Sequence, residues 1–228
     1  MLKTVFVPIN KAGWPFIFLF TAITIALAFL WKPLGWVGLI LTIWCIYFFR
    51  DPPRVTPTKD HLVVSPADGS VLKIVKAVPP IEIELGNNPL NCISIFMNVF
   101  DVHVNRIPVS GKITRVAYNP GKFVNASLDK ASEYNERQCI RITTNEGLEI
   151  GVIQIAGLIA RRIKCDVSIN EMVNTGERYG LIRFGSRVDV YLPSETNVLV
   201  AVGQIMVAGE TVIADLGSQE EQRFGVVI

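Results

Sequence analysis

The sequence predicts a mainly β protein: a barrel- or sandwich-type β domain behind an N-terminal hydrophobic helical hairpin. Uncharged apolar runs are confined to the stretch before Arg50, and β-patterned runs with turn residues between most of them begin at Leu62. With 228 residues there is room for one sizeable domain and an appendage. The mean hydropathy of +0.39 is high for a soluble chain, and the excess sits in those first runs.

Gly13 to Trp31 carries no charge, and after Lys32-Pro33 a second uncharged run extends from Leu34 to Phe49. The first is long enough to span a bilayer; the second is short and would need a thinned or snorkelled span. Trp14, Trp31, Trp36, Trp44 and Tyr47 include residues near the ends of these runs, where aromatic belts sit. The apolar core is too long for a cleaved signal peptide, and no small-residue cleavage site follows it. Lys3 and Lys11 precede the first run and Arg50 and Arg54 follow the second, with Lys32 alone between them. The positive-inside rule then places both ends in the cytoplasm, so that 1–54 anchors the chain to the cell membrane and 55–228 lies on the cytoplasmic side. A hairpin that dips into the interface without crossing satisfies the same charges.

The tandem prolines of FFRDPPR (48–54) stop the second helix. Strands are expected over 62–65, 70–77, 92–99, 111–118, 138–144, 148–156, 163–167, 180–184, 187–192, 197–201 and 211–214, and one short helix over 128–137. Many short strands at this spacing suggest a closed barrel or a sandwich. Glycines at 69, 111 and 209 each open an apolar alternation, a loose pattern that resembles the barrel-sandwich hybrid fold of biotinyl and lipoyl carriers. Cys45, Cys92, Cys139 and Cys165 show no metal spacing and sit among apolar residues, as buried thiols of a reducing compartment do. A net charge of +2, with no basic patch interleaved with aromatics, gives no sign of nucleic acid.

The unusual local feature is Gly185-Ser186 within ERYGLIRFGSRVDVYLP. A glycine inside a strand pattern marks a bulge or a close backbone approach; a peptide bond held in strain is the sharper alternative. Histidine is scarce. His61 follows Asp60 in a polar connection and reads as a solvated loop residue. His103, in FMNVFDVHVNRIPVSG, is the one good candidate for a group titrating near neutrality, although a histidine near a core is also commonly structural. Asp68 in SPADG fits a turn aspartate, and equally the acid of an aspartate–histidine–serine arrangement that activates a hydroxyl.

FFRDPPR, SPADG, FMNVFDVHVNRIPVSG, FVNASLDKASEYNER and GERYGLIRFGSRVDVYLP stand in the order and spacing of the short-form phosphatidylserine decarboxylases. The chain resembles that family over essentially its whole length, hairpin included. The resemblance implies a proenzyme that cuts itself at a Gly-Ser bond, with Gly185 the acyl donor and Ser186 the nucleophile. The pieces would be a β chain, 1–185, and an α chain, 186–228, which begins with a pyruvoyl group made from Ser186. That group would form a Schiff base with the amine of phosphatidylserine and accept electrons as CO2 departs, with no metal and no PLP. His103 would be the base and Asp68 its orienting partner, and His103 is also the candidate for returning a proton to the carbanion.

The chain departs from longer family members, which carry a second histidine where this sequence has Arg106. Ser218, in LGS, superficially resembles the long-form cleavage motif, but its surroundings are those of a surface turn. Arg137, Arg161 and Arg162 are candidates to meet the lipid phosphate. The expected partner is phosphatidylserine in the membrane, besides the complementary chain of the same precursor; a homo-oligomer is compatible with the sequence. Rival readings are an archaetidylserine decarboxylase, with identical headgroup chemistry, and a non-enzymatic membrane-anchored β-barrel adaptor, which would remain one intact chain.

Overall fold

The computed structural model describes residues 7–121, 135–157, 162–183, 186–218 and 225. Helices α1 (Trp14–Leu30) and α2 (Lys32–Phe48) form the hairpin. Both carry proline in the first turn, where the missing N–H costs no intrahelical bond. Trp31, in extended backbone, reverses the chain between them. The helices approach closely because Gly35 and Gly38 face Ala28 and Thr24: a Cβ at Gly35 would lie 2.6 Å from that of Ala28. Thr24 and Thr42 add a 2.9 Å hydroxyl pair across the contact. α1 with its preceding turn is long and apolar enough to cross a membrane, with mean hydropathy 2.1, whereas α2 is shorter. Phe18, Phe29, Trp36 and Ile40 point outward, an apolar surface that water would not favour.

The body is built from β1 (Leu62–Val64), β2 (Gly69–Ala77), β3 (Leu90–Met97), β4 (Val104–Arg106), β5 (Gly111–Asn119), β6 (Arg137–Thr143), β7 (Glu149–Ala156), β8 (Ile163–Cys165), β9 (Met172–Val173), β10 (Arg178–Ile182), β11 (Ser186–Leu192), β12 (Ile205–Met206) and β13 (Val212–Asp215). Eight of these form one curled antiparallel sheet in the order β12-β2-β3-β11-β7-β6-β5-β9. Two small sheets, β1-β13 and β4-β10-β8, accompany it. Alternation along the strands sends one set of side chains to each face. Ile93, Ile95, Val188, Val190, Val152 and Ile140 pack into the main core with Val63, Ile107, Tyr179 and Ile213 of the smaller sheets and connections. The opposite set, including Cys92, Cys139, Ile155 and Tyr191, forms a second cluster with Ile83. Gly69 opens β2 at φ 145°, pressed so closely on β3 that a Cβ would lie 2.0 Å from the Phe96 carbonyl oxygen; only glycine fits there.

The mainly β class and the apolar helices agree with expectation, and Cys45, Cys92 and Cys139 are buried free thiols. The expected strand at 197–201 is reduced to one bridge, Val198 to Ala214. Most of the expected helix over 128–137 lies outside the described residues, and its last residue, Arg137, begins a strand.

A third cluster seats the hairpin on the body. Ile17, Cys45, Phe48 and Phe49 pack against Val102, Val104 and Leu181. Each large side chain fully buried there contributes roughly 1.5–3 kcal/mol. The hairpin therefore packs directly on the strands that approach Ser186.

Candidate active site

Ser186 is the first residue of β11 and is fully buried. It stands opposite Met97 of β3 and Ala156 of β7, so the strand it begins is hydrogen-bonded along both edges. The preceding strand belongs elsewhere: β10 ends at Ile182 in the three-stranded sheet, between β4 and β8. The chain leaves one sheet at Ile182 and enters another at Ser186; Gly185 itself falls outside the described residues. The Ser186 hydroxyl donates to Met97 Sδ at 3.4 Å, a weak acceptor.

His103 immediately precedes β4 and is completely buried. Its backbone carbonyl accepts from Ile182 N, which brings it to the chain end that leads into Gly185-Ser186. Nδ1 lies 3.0 Å from the Asp101 carbonyl oxygen. A carbonyl can only accept, so Nδ1 carries the proton and the lone pair sits on Nε2. Phe48 of α2 covers the ring, with centroids 4.3 Å apart. Burial pushes the imidazole pKa down to about 4, opposed by the Asp101 contact and assisted by nearby Arg50, so His103 is neutral at pH 7.

Asp68 takes other partners. Its Oδ2 accepts from Arg54 Nη2 at 2.6 Å and its Oδ1 from Ala208 N at 2.8 Å. It still lies within electrostatic reach of the His103 loop, because it contributes, after burial, to raising the pKa of Asp101. Among the described residues no hydrogen bond joins Asp68 to His103 or His103 to Ser186. The three residues flank one region without forming a bonded relay.

The remaining motif residues hold this region together. Asp51 accepts from Arg178 Nε at 2.8 Å and lies 3.7 Å from Arg106 Nη2. Arg106 donates to the carbonyls of Gly176 and Pro52. Arg106 is thus a structural cation that ties FFRDPPR to GERYG. Sequence reasoning did not identify Asp51, Arg54, Arg178 or a buried amide pair next to Met97. In that pair, Gln154 Nε2 donates to Asn105 Oδ1 at 2.8 Å and Asn105 Nδ2 reaches Met97 Sδ. The signal available was polarity inside otherwise apolar strand runs.

The candidate lipid-binding arginines separate. Arg137 stands beside Ile155 in the ladder, on the face opposite Ser186, and is ion-paired to Glu82. Arg162 is exposed and precedes β8; Arg161 lies outside the described residues. On the same far face as Arg137, Arg187 and Asp189 form a buried ion pair at 2.8 Å. Ser218 follows β13 in a turn, with its amide on the Asp215 carbonyl, and His61 is paired with Glu146 at half-exposure. No group of residues able to hold a metal ion occurs among the described residues. Clefts of about 430 and 440 Å³ open around His61 and around Arg137, and neither is lined by Ser186 or His103.

Residues 41–214 match the family model described as phosphatidylserine decarboxylase. The phosphatidylserine decarboxylase proenzyme of Cereibacter sphaeroides is 55% identical over 225 residues, covering 99% of this chain and 97% of the relative. That of Paramagnetospirillum magneticum is 54% identical over 227 residues, covering 100% and 95%. With the family model spanning most of the chain and relatives this similar end to end, the chain belongs to the phosphatidylserine decarboxylase family.

Proposed function

We propose that this chain is a self-cleaving proenzyme that becomes a pyruvoyl-dependent phosphatidylserine decarboxylase, releasing phosphatidylethanolamine and CO2. The observation that carries the reading is the position of Ser186: buried, weakly hydrogen-bonded, and at the head of a strand fixed on both edges. A serine so placed can be rebuilt without losing its position. The name proenzyme carried by both relatives supports cleavage.

In maturation, the Ser186 Oγ–H bond breaks and Oγ bonds to the Gly185 carbonyl carbon as the Gly185–Ser186 C–N bond opens. His103 Nε2, neutral and carrying the lone pair, is suited to accept the hydroxyl proton and pass it to the departing nitrogen. Loss of the Cα proton then expels the Gly185 carboxylate, and hydrolysis of the resulting dehydroalanine releases ammonia. The site fits the finished group. Residue 186 becomes a chain terminus at a strand head, flanked by the unreactive Met97 and Ala156 side chains. A pyruvoyl group there supplies a carbonyl that captures the substrate amine and draws electrons as CO2 leaves. The lowered pKa keeps His103 neutral at pH 7, with its lone pair in place, and makes it a weak base that quickly gives up any proton it takes. Asp68, locked by Arg54, supports the electrostatics of the His103 loop. The apolar hairpin anchors the chain to the bilayer that holds the substrate, with the β body on the cytoplasmic side.

Mass measurement of the purified protein tests this. Fragments of 1–185 and 186–228, with a blocked terminus on the smaller, are expected, and an intact chain in active membranes would refute it. Ser186→Ala should remain uncut and inactive while Ser218→Ala matures normally.

A further inference from the structure

β10 and β8 run antiparallel, with Ile182 opposite Ile163 on their last rung. The next positions along the two chains are Arg183 and Arg162. Residues opposite each other on antiparallel chains share a face, and like charges so placed repel. Among the described residues neither guanidinium forms an ion pair with a carboxylate, the neighbouring Glu136 accepting instead from Ile163 N at 3.2 Å, and Arg183 Nε is buried without a hydrogen-bond partner. The repulsion registers in Arg183, whose pKa is lowered first by burial and then by Arg162.

The place of this pair is informative. The Arg183 guanidinium lies 4.8 Å from the centroid of the Phe16 ring, in the first turn of α1, and Phe16 stacks on Phe49 at 5.4 Å. Just beyond Phe16, Phe18 and Leu19 turn outward on the apolar helix. Arg183 therefore sits where the hairpin leaves the body, which would be near a bilayer's phosphates if the hairpin enters one. It is also three residues before Ser186, a span of at most about 10 Å. An arginine side chain and the few bonds between phosphorus and serine nitrogen can cover that distance.

We infer that Arg183, with Arg162 across from it, binds the phosphodiester of the serine phospholipid and sets its amine toward residue 186. The inference rests on the substrate class proposed above and adds Arg183, a residue that its sequence motif does not single out. Two guanidiniums supply a forked set of donors for a shared oxyanion, which removes their repulsion and satisfies the orphaned Nε. Arg137, ion-paired on the other face of the sheet, is left out of this role.

The test uses the matured full-length enzyme in mixed micelles of phosphatidylserine and nonionic detergent, after fragment masses show that each variant is cut. Arg162→Gln and Arg183→Gln are each expected to raise KM about tenfold with kcat within about twofold, the split expected when binding is lost uniformly. Arg183→Lys keeps the cation over Phe16 but loses the fork, and should recover only part of the KM. The double Arg→Gln variant should fall short of the product of the single effects. Inorganic phosphate as a competitor separates the sources. Inhibition of the wild type that weakens in the variants means the pair accepts any phosphate oxyanion; no inhibition alongside the KM effect restricts it to the lipid headgroup. An unchanged KM for Arg162→Gln overturns the paired site, and an effect confined to Arg183 reduces that residue to anchoring the hairpin. Should Arg183→Gln fail to mature, Arg162→Gln, remote from the cut bond in sequence, decides alone. A wild type that neither cuts itself nor releases CO2 would instead overturn the proposed function.

Discussion

Acid should destabilise this protein through His103, by an amount that can be worked out. The imidazole has an ordinary pKa of 6.5 and one of about 4 in the fold, where burial disfavours its cation. Between those values the unfolded chain binds a proton that the folded chain does not, so stability falls as pH falls. The loss begins near pH 6.5 and is complete below about pH 4. Each tenfold difference in proton affinity between the folded and unfolded chains is worth about 1.36 kcal/mol. The full effect is then about 3 kcal/mol, of which about 2 kcal/mol should be lost by pH 5. The assay is urea unfolding of the uncut Ser186→Ala chain in nonionic detergent between pH 8 and pH 4.5, beside the same chain carrying His103→Asn. Asparagine can keep the donor to the Asp101 carbonyl but cannot titrate. The difference in unfolding free energy between the two chains should therefore shrink by about 2 kcal/mol on going from pH 8 to pH 5. Parallel pH curves, or a His103 chain that gains stability in acid relative to the variant, would refute the reasoning.

Asp189→Asn removes the charge facing the fully buried Arg187 and should cost about 3–5 kcal/mol, seen as an early urea midpoint in the Ser186→Ala background. Gly69→Ala forces a Cβ into the Phe96 carbonyl at φ 145°, and is expected to collapse the soluble yield in detergent extracts and with it the fraction cut. Arg54→Gln frees Asp68 and should slow appearance of the 186–228 fragment in a pulse–chase, with Arg54→Lys recovering part of the rate. After cleavage the two fragments should copurify without denaturant and separate in guanidinium.

The sequence was most legible where one physical rule dominates. Apolar runs bounded by lysine and proline located both helices, and period-two alternation located β2, β3, β5, β6, β7 and β11 to within about two residues. β4 was missed because its three residues, Val104, Asn105 and Arg106, break that rule: all are buried, and two are polar. Their burial depends on partners distant in sequence, Gln154 for the asparagine and the Gly176 and Pro52 carbonyls for the arginine. Alternation along one strand cannot announce such partners. Likewise, residue type suggested Asp68 beside His103, but proximity is a property of the fold, and there Arg54 holds the aspartate. Gly185-Ser186 drew attention as an interruption within one strand pattern; the chain leaves one sheet at Ile182 and enters another at Ser186. Arg183 was hidden for a further reason. Its significance arises from Arg162 across the ladder and Phe16 on the hairpin, and no local pattern connects the three.

The position of the proposed cut explains how a chain could break its own backbone without coming apart. Severed at residue 185, the smaller piece keeps β11, β12 and β13. β11 lies between β3 and β7, β12 pairs with β2, and β13 pairs with β1, so every one of these strands is held by strands of the larger piece. Val188, Val190 and Leu192 remain in the main core on one face, while Arg187 and Asp189 remain buried on the other. A cut inside β11 would sacrifice ladder bonds on both edges and expose this packing. One at its head, where two sheets meet, releases only the end that must become reactive. Phe48 closes over His103 and Phe16 lies under Arg183, so the apolar hairpin also forms one wall of the proposed site. A serine phospholipid could then present its headgroup at that wall while its acyl chains stay in the bilayer.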